Sequence, residues 1–477
     1  MLKSIIYKEI ADNIRNLRFT VGSLLIIIVS FICVVILTSQ YNDEIKEYHQ
    51  SVNEQNATIE RSAHTNRLGG MITPIFPPSK FHPIILGIDQ NVEINNYNNN
   101  PLNTMFPPFD FIIIVTILMS LLAILFSYNS ISGEAEDGTL RLILSNAVPR
   151  MLLLTGKWIG GVICIFIPFI ISILLMSVYI SLSPVVQWFS YHWLTFALLT
   201  LASLLFISIF YLIGLTVSCY TKNSTMSMLV SLFIWVLFIL IIPNLSPYFA
   251  AQLYKMPSVN RIEKEVKRLQ GIERDDLGRK LSKEVYDKYM NEYPEEFAAI
   301  QSMNQNQLME YFEQRPDIMQ VYNKITEEVE QAWRTANQIQ NEKASKIMAD
   351  IKAKSERQVA TAKNIAALSP YSCYVYIATD MTGTGMHKTE YNEQLFTEAS
   401  AVFRPYLERK VKEAKEKDPL FNSESYIDLS DRPRFDYKEE LLNTKFAATM
   451  PYWFILLAFN ALFLILAYLS FRRYDVR

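Results

Sequence analysis

Residues 128–158, YNSISGEAEDGTLRLILSNAVPRMLLLTGKW, decide how the chain is read. The stretch lies between two long apolar runs. Three acids come first, Glu134, Glu136 and Asp137, followed by Gly138 and Thr139. An apolar run through Leu140, Leu142, Ile143 and Leu144 is stopped by Pro149. Arg150 lies just beyond it, and Lys157 sits at the edge of the next apolar segment. Acids at the start and cations at the end suit a helix dipole. The pattern predicts a short helix at about 134–146, in the membrane–water interface, presenting a surface to a partner. The alternative is an ordinary amphipathic loop helix, because such helices are common at membrane surfaces.

Outward from this stretch the chain alternates apolar and polar blocks. Residues 20–38, TVGSLLIIIVSFICVVILT, carry no charge and match the roughly 20 residues needed to cross the hydrocarbon. Further spans are predicted at 109–128, 158–182, 194–219, 225–243 and 450–470. Asp110 stands at the outer edge of the second, and Pro168 predicts a kink in the third. Trp188, Phe189, Tyr191 and Trp193 read as an interfacial aromatic belt. Residues 1–19 precede the first span. Within them, Leu2, Ile5, Ile6, Ile10, Ile14 and Leu17 fall near one helical stripe, with Lys3, Lys8, Arg15 and Arg18 elsewhere. That is an amphipathic helix on the membrane face. The cationic region is too long for a cleaved signal peptide, and no small-residue cleavage site follows.

The short loops set the orientation. Lys3, Lys8, Arg15 and Arg18, then Arg141, Arg150 and Lys157, then Lys222, then Arg472, Arg473 and Arg477 all fall on one side of six spans. This is the positive-inside pattern, with both termini and the 129–157 loop cytoplasmic and a short tail at 471–477. Residues 39–108 and 244–449 are then extracytoplasmic. The first of these carries an Asn-rich patch at 95–100, Pro pairs at 77–78 and 107–108, and a predicted helix near 40–60. In the second, 259–291 and 317–367 are rich in Glu, Lys, Gln and Ala and predict long helices, arranged as an antiparallel hairpin. Ile325, Val329, Trp333, Ile339, Ile347, Ile351 and Val359 recur loosely at helical spacing and read as packing within that hairpin. Residues 368–386, LSPYSCYVYIATDMTGTGM, are aromatic and then Gly-rich, and are expected to return to the membrane surface. A charged helix is predicted at 388–417, and irregular chain at 418–440. The expected fold class is therefore an all-α polytopic membrane protein with six transmembrane helices, an N-terminal interfacial helix and a helical extracytoplasmic domain.

Chemical motifs are sparse. A net charge of −2 gives no argument for nucleic acid. Cys33, Cys164 and Cys219 fall in apolar runs and only Cys373 in a polar region, so no disulfide framework is expected. His49, His64, His82, His192 and His387 are scattered, without zinc-type spacing. There is no GxxxxGK[ST] phosphate loop, and GTGM at 383–386 lacks the strand–glycine–helix context of one. No charge is read deep within a span, which argues against a proton or sodium relay. The chain itself is read as having no catalytic, cofactor or metal site.

Residues 133–157, with E-x-E-D-G-T-L-x-x-x-L-S-N-x-x-P-R and then G-K, resemble the segment between the second and third spans of ABC-2-type permeases. These are the membrane halves of ATP-binding-cassette exporters. The amphipathic N-terminal helix and the six spans agree with that family. The two outer segments and SPY…TGTG at 369–385 are similar to a branch linked to multicopper-enzyme maturation or gliding-type systems. The inserted outer region before the last span departs from compact members and weakens any carry-over of substrate. The resemblance implies a separate cytoplasmic nucleotide-binding ATPase subunit that holds ATP and Mg. It implies a second permease chain, identical or not, lipid contact, and location in the cytoplasmic membrane. It makes the 134–146 segment a coupling helix, with Glu134, Glu136, Asp137, Gly138, Thr139, Arg141 and Arg150 as contacting or cap-forming residues. Two other functions stay open: a mechanotransmission device that moves the outer helices against an extracytoplasmic protein partner, and a membrane sensor or adhesion protein with no ATPase.

Overall fold

The computed structural model describes residues 2–61, 74–87, 109–145, 148–301, 303–417 and 427–474. The Asn-rich patch at 95–100 and the Pro pair at 107–108 lie outside them. All regular structure among the described residues is helical. Six helices are long and apolar enough to cross a membrane: Leu17–Ile59, Phe111–Glu136, Arg150–Leu182, Ser190–Tyr220, Ser224–Leu253 and Leu442–Arg472. The chain divides into two compact units, Met1–Asn244 with Ile365–Arg477, and Leu245–Asn364.

In the first unit, α1 (Leu2–Ile14) is followed by α2 (Leu17–Arg61). Sequence reading separates a span at 20–38 from a helix near 40–60. Here they are one helix of 45 residues, roughly 68 Å at about 1.5 Å per residue. No Pro or Gly interrupts it beyond Gly22, so nothing in the backbone calls for a break where the side chains turn polar. Helix α3 covers 111–127 with a π-helical turn at Ile114–Met119. Asp110 caps its start, its Oδ1 accepting from Ile113 N at 3.1 Å. Two short helices follow, α4 (Ser132–Glu136) and α5 (Thr139–Ser145). The next span, α6 (Arg150–Leu182), starts eight residues earlier than predicted and runs through Pro168. Pro149, which cannot donate to a preceding turn, stands at its N-cap, so the 150–157 turns belong to the span rather than to the loop.

Helix α7 (Ser190–Tyr220) is the centre of this unit; after it the chain runs through the fifth span α8 (Ser224–Leu253), α9 (259–292), α10 (Pro294–Gln301), α11 (Gln305–Gln314) and α12 (Pro316–Ala366). Phe206, Ile207, Ile209, Phe210, Tyr211, Leu212 and Ile213 are fully buried on all sides of α7. A helix apolar all round belongs inside other helices. Small residues let the neighbours close in: a Cβ on Gly161 of α6 would collide with the Tyr211 hydroxyl, and one on Gly160 would reach 2.9 Å from Glu9 Cβ on α1. Close backbone approach through small residues is the usual way to pack helices in lipid. Outward-facing Leu24, Ile28, Ile32, Leu174, Val178 and Leu229 are exposed, as lipid-facing positions should be.

Residues 370–382 are packed inside the first unit. They form α13 (Pro370–Thr382), with Cys373, Tyr374, Ile377 and Ala378 at 0% exposure. The Tyr374 hydroxyl meets Ser203 Oγ of α7 at 3.0 Å. Pro370 at the first helical position and Gly383, in the left-handed region at φ +65, delimit the helix. Helix α14 (Met386–Lys417) and the last span α15 (Leu442–Arg472) complete the unit.

In the second unit, Val259–Arg268, a π turn at Leu269–Glu273 and Arg274–Glu292 form one helical run. The long helix Pro316–Ala366 returns beside it. Gln270 Nε2 bonds Asn341 Oδ1 at 3.3 Å, Gly278 lies under the Trp333 ring, and the Tyr289 hydroxyl donates to Glu328 Oε1 at 2.7 Å. Numbers rise on one helix as they fall on the other, so the hairpin is antiparallel. Its buried stripe on the long helix is Ile318, Ile325, Ala336, Gln340 and Ala344. Ile339, expected inside, is 37% exposed. Alanine at the seam permits closer helix packing than a β-branched side chain would.

Candidate functional site

The 128–145 segment is built from the backbone outward. Helix α4 ends because Gly138 adopts φ +71, with its N–H bonded to Ala135 O and the Asp137 N–H to Gly133 O. That is a left-handed C-cap, which glycine adopts without the cost other residues bear. The single helix predicted at 134–146 is therefore two, hinged at Asp137–Gly138. Position 146 itself lies outside the described residues. Asp137, Gly138, Thr139 and Arg141 are exposed. A Cβ on Gly138 would meet nothing within 4 Å, so the turn is an open knuckle. Leu140 beside it is 1% exposed and nails the knuckle to the core.

The turn is pinned on both sides. Ser218 Oγ, near the end of α7, accepts from Ile131 N at 3.0 Å and Ser132 N at 2.9 Å. These are N–H groups at a helix start, which lack partners of their own. Glu136 accepts from Ser224 N at 3.1 Å and from its hydroxyl at 2.6 Å, which ties α4 to the first turn of the fifth span.

Beneath α4 is a buried charge cluster. Lys157 Nζ of α6 lies 3.0 Å from Glu134 Oε1 and 3.2 Å from Glu9 Oε2 of α1. Lys8 Nζ approaches Glu134 Oε1 at 3.6 Å from the solvent side. The Lys157 side chain is 5% exposed, Glu9 13% and Glu134 18%. Two cations and two anions balance, as burial requires. The cluster joins α1, α4 and α6. Sequence reading placed Lys157 at the edge of a span, yet the longer α6 carries it two turns inside a helix.

Arg150 stands apart from the turn. Its Nη1 donates to the carbonyls of Phe471 at 2.7 Å, Arg472 at 2.8 Å and Tyr474 at 3.1 Å. These are orphan acceptors at the C-terminal end of α15, and the guanidinium also lies 5.7 Å from the Phe471 ring centroid. Of the seven residues singled out from sequence, Asp137, Gly138, Thr139 and Arg141 form the exposed knuckle. Glu134 is its internal pin, Glu136, itself exposed, ties it to Ser224, and Arg150 clamps the end of α15. Sequence reasoning missed Glu9, Ser218 and Ser224. A lysine beside an apolar run was the available hint that a carboxylate had to be found for it.

Six apolar helices define a polytopic α-helical membrane protein whose short connections gather at one end of the first unit around a pinned, glycine-capped turn. The chain matches the family model described as ABC-2 family transporter protein over residues 3–476, and it belongs to that family. It is thus a permease of the ATP-binding-cassette transporter class. Permeases of this kind are generally non-catalytic membrane subunits that act with an ATPase and a second membrane half. The match is to the family as a whole and does not extend to the multicopper-enzyme-maturation or gliding-type branch. No curated protein matches the chain.

Proposed function

We propose that this chain couples ATP hydrolysis by a separate cytoplasmic subunit to export across the cytoplasmic membrane, with the Asp137–Gly138–Thr139 knuckle and Arg141 seated on that subunit. The observation that carries the reading is the pinning: an exposed turn whose internal partners are Lys157, Glu9, Ser218 and Ser224, on four different elements. A push on such a turn reaches several spans at once, and rigid-body helix motion is a common way to switch a transporter. ATP and Mg would reside in the ATPase, and a second permease chain, identical or not, would complete the pathway. Basic short loops at the same end as the knuckle support cytoplasmic termini.

A pull-down of the solubilised chain from its native membrane, followed by an ATPase assay, tests this beside Asp137→Arg. Co-purification of a nucleotide-binding subunit with the wild type and its loss from the variant are expected. A well-folded wild type that brings down no ATPase would refute the reading and favour the sensor or adhesion alternative.

One observation favours a second reading, in which the chain transmits force to an extracytoplasmic protein partner without cargo. The second unit is a long antiparallel helical hairpin, whose longer arm has 51 residues. ATP-dependent movement of that hairpin without vesicle transport would select this reading over export.

A further inference from the structure

At the end of the first unit opposite the knuckle, a cavity of about 310 Å³ opens between residues 77–81, the start of α7, the α13–α14 connection and the chain entering α15. Its wall holds three ammonium groups, Lys80, Lys388 and Lys445, and two carboxylates, Glu439 and Glu440. Both carboxylates are already engaged. Glu440 Oε1 lies 2.8 Å from His387 Nε2. Glu439 accepts from the Tyr191 hydroxyl and lies 3.3 Å from His192 Nε2. The other His192 nitrogen, Nδ1, accepts from Phe189 N at 2.9 Å, which leaves the ring proton on the side of Glu439.

Lys445 and Lys80 are held differently. Lys445 is half-buried over Gly383, where a Cβ would come within 3.2 Å of its Nζ; Glu439 and Glu440 act on it electrostatically, but among the described residues it makes no direct ion pair. Lys80 Nζ rests 4.9 Å above the Phe189 ring, with Glu439 as a nearby charge and no direct ion pair among the described residues. A half-buried ammonium whose neighbouring carboxylates are bonded to other donors is incompletely compensated. Converging lysines are a common solution for a multi-oxygen anion, which can accept from several ammonium groups at once. The cavity also lies beside Trp188 and Phe189, in the belt of aromatic residues that marks a membrane interface.

We propose that this cavity binds a phosphate group between Lys445 and Lys80. The phosphate is either that of a lipid headgroup or free in solution. The site is separate from the ATPase-facing knuckle and does not depend on the coupling reading.

Calorimetric titration of the purified full-length chain in non-ionic detergent tests the site, with dihexanoyl phosphatidic acid and inorganic phosphate as probes. Saturable binding of the phosphatidic acid is expected. Lys445→Gln should weaken it about tenfold or more, the scale of one lost charge-assisted hydrogen bond, and Lys445→Arg should restore it to within about threefold. Binding of phosphatidic acid alone identifies a lipid headgroup. Equal binding of inorganic phosphate, in competition with it, identifies a free phosphate. Lys80→Gln gives an independent reading should Lys445→Gln fail to fold. Absence of binding by both probes, or wild-type affinity in the folded variants, would overturn the proposal.

Discussion

Lys157 Nζ and Glu134 Oε1 lie 3.0 Å apart, joining the third span to the segment that precedes the exposed turn. With Glu9 as the second carboxylate, the lysine holds the N-terminal helix and the turn on one side chain. Replacing Lys157 by Met keeps the volume but leaves two buried carboxylates facing each other. Breaking a buried pair in this way costs about 3–5 kcal/mol. A markedly lower melting temperature in detergent is expected, partly recovered by adding Glu9→Gln. A Lys157→Met protein that melts like the wild type would show that the cluster does not hold the fold together.

Gly138 has the opposite character. Its left-handed backbone disfavours any side chain by about 1–2 kcal/mol, while its surroundings are empty. Gly138→Val should therefore lower stability only modestly yet reduce co-purification of the ATPase, because the knuckle changes shape where the partner sits. Thermal melting and pull-down, measured on the same sample, separate the two effects. Equal loss in both would point to simple unfolding.

Much of this was legible in the sequence, and the failures have physical reasons. Apolar runs expose spans because hydrocarbon demands an uninterrupted length of them, and charged Ala-rich stretches expose solvated helices. The hairpin needed no long-range information beyond those two arms. Helix α13 stayed hidden because 13 residues are too few for a span, and its apolar stripe is interleaved with Ser372, Thr379 and Asp380. The charge cluster stayed hidden because Glu9 and Lys157 are 148 residues apart. Nothing local distinguishes Glu9 from the other charges of an amphipathic helix. The Arg150 contacts stayed hidden because its partners are backbone carbonyls, which leave no trace in composition.

Gly278 tests the hairpin. A Cβ there would come within 2.4 Å of the Trp333 ring, so Gly278→Leu forces the arms apart. Overpacking of this kind costs about 1–3 kcal/mol. Limited proteolysis should cut 259–364 faster in the variant while leaving the first unit intact. Unchanged cleavage would mean that the seam tolerates the added volume.

Glu439 predicts a pH dependence at the end of the first unit opposite the knuckle. Burial works to raise its pKa, but the Tyr191 hydroxyl and the His192 ring, with Lys80 nearby, hold the carboxyl down at about 2. A carboxyl depressed in the folded state stabilises fully above its ordinary value, 4.5, and loses that contribution as pH falls toward 2. Melting temperature should therefore fall more steeply across that window in the wild type than in Glu439→Gln. Parallel curves would show that the carboxylate contributes nothing.

The most direct test places a photo-crosslinking residue at Asp137 or Thr139 in native membranes, with Glu390 near the opposite end as control. Coupling through the knuckle predicts that positions 137 and 139 capture a nucleotide-binding subunit and position 390 does not. Failure of 137 and 139 to capture it, or equal capture from 390, would contradict the account.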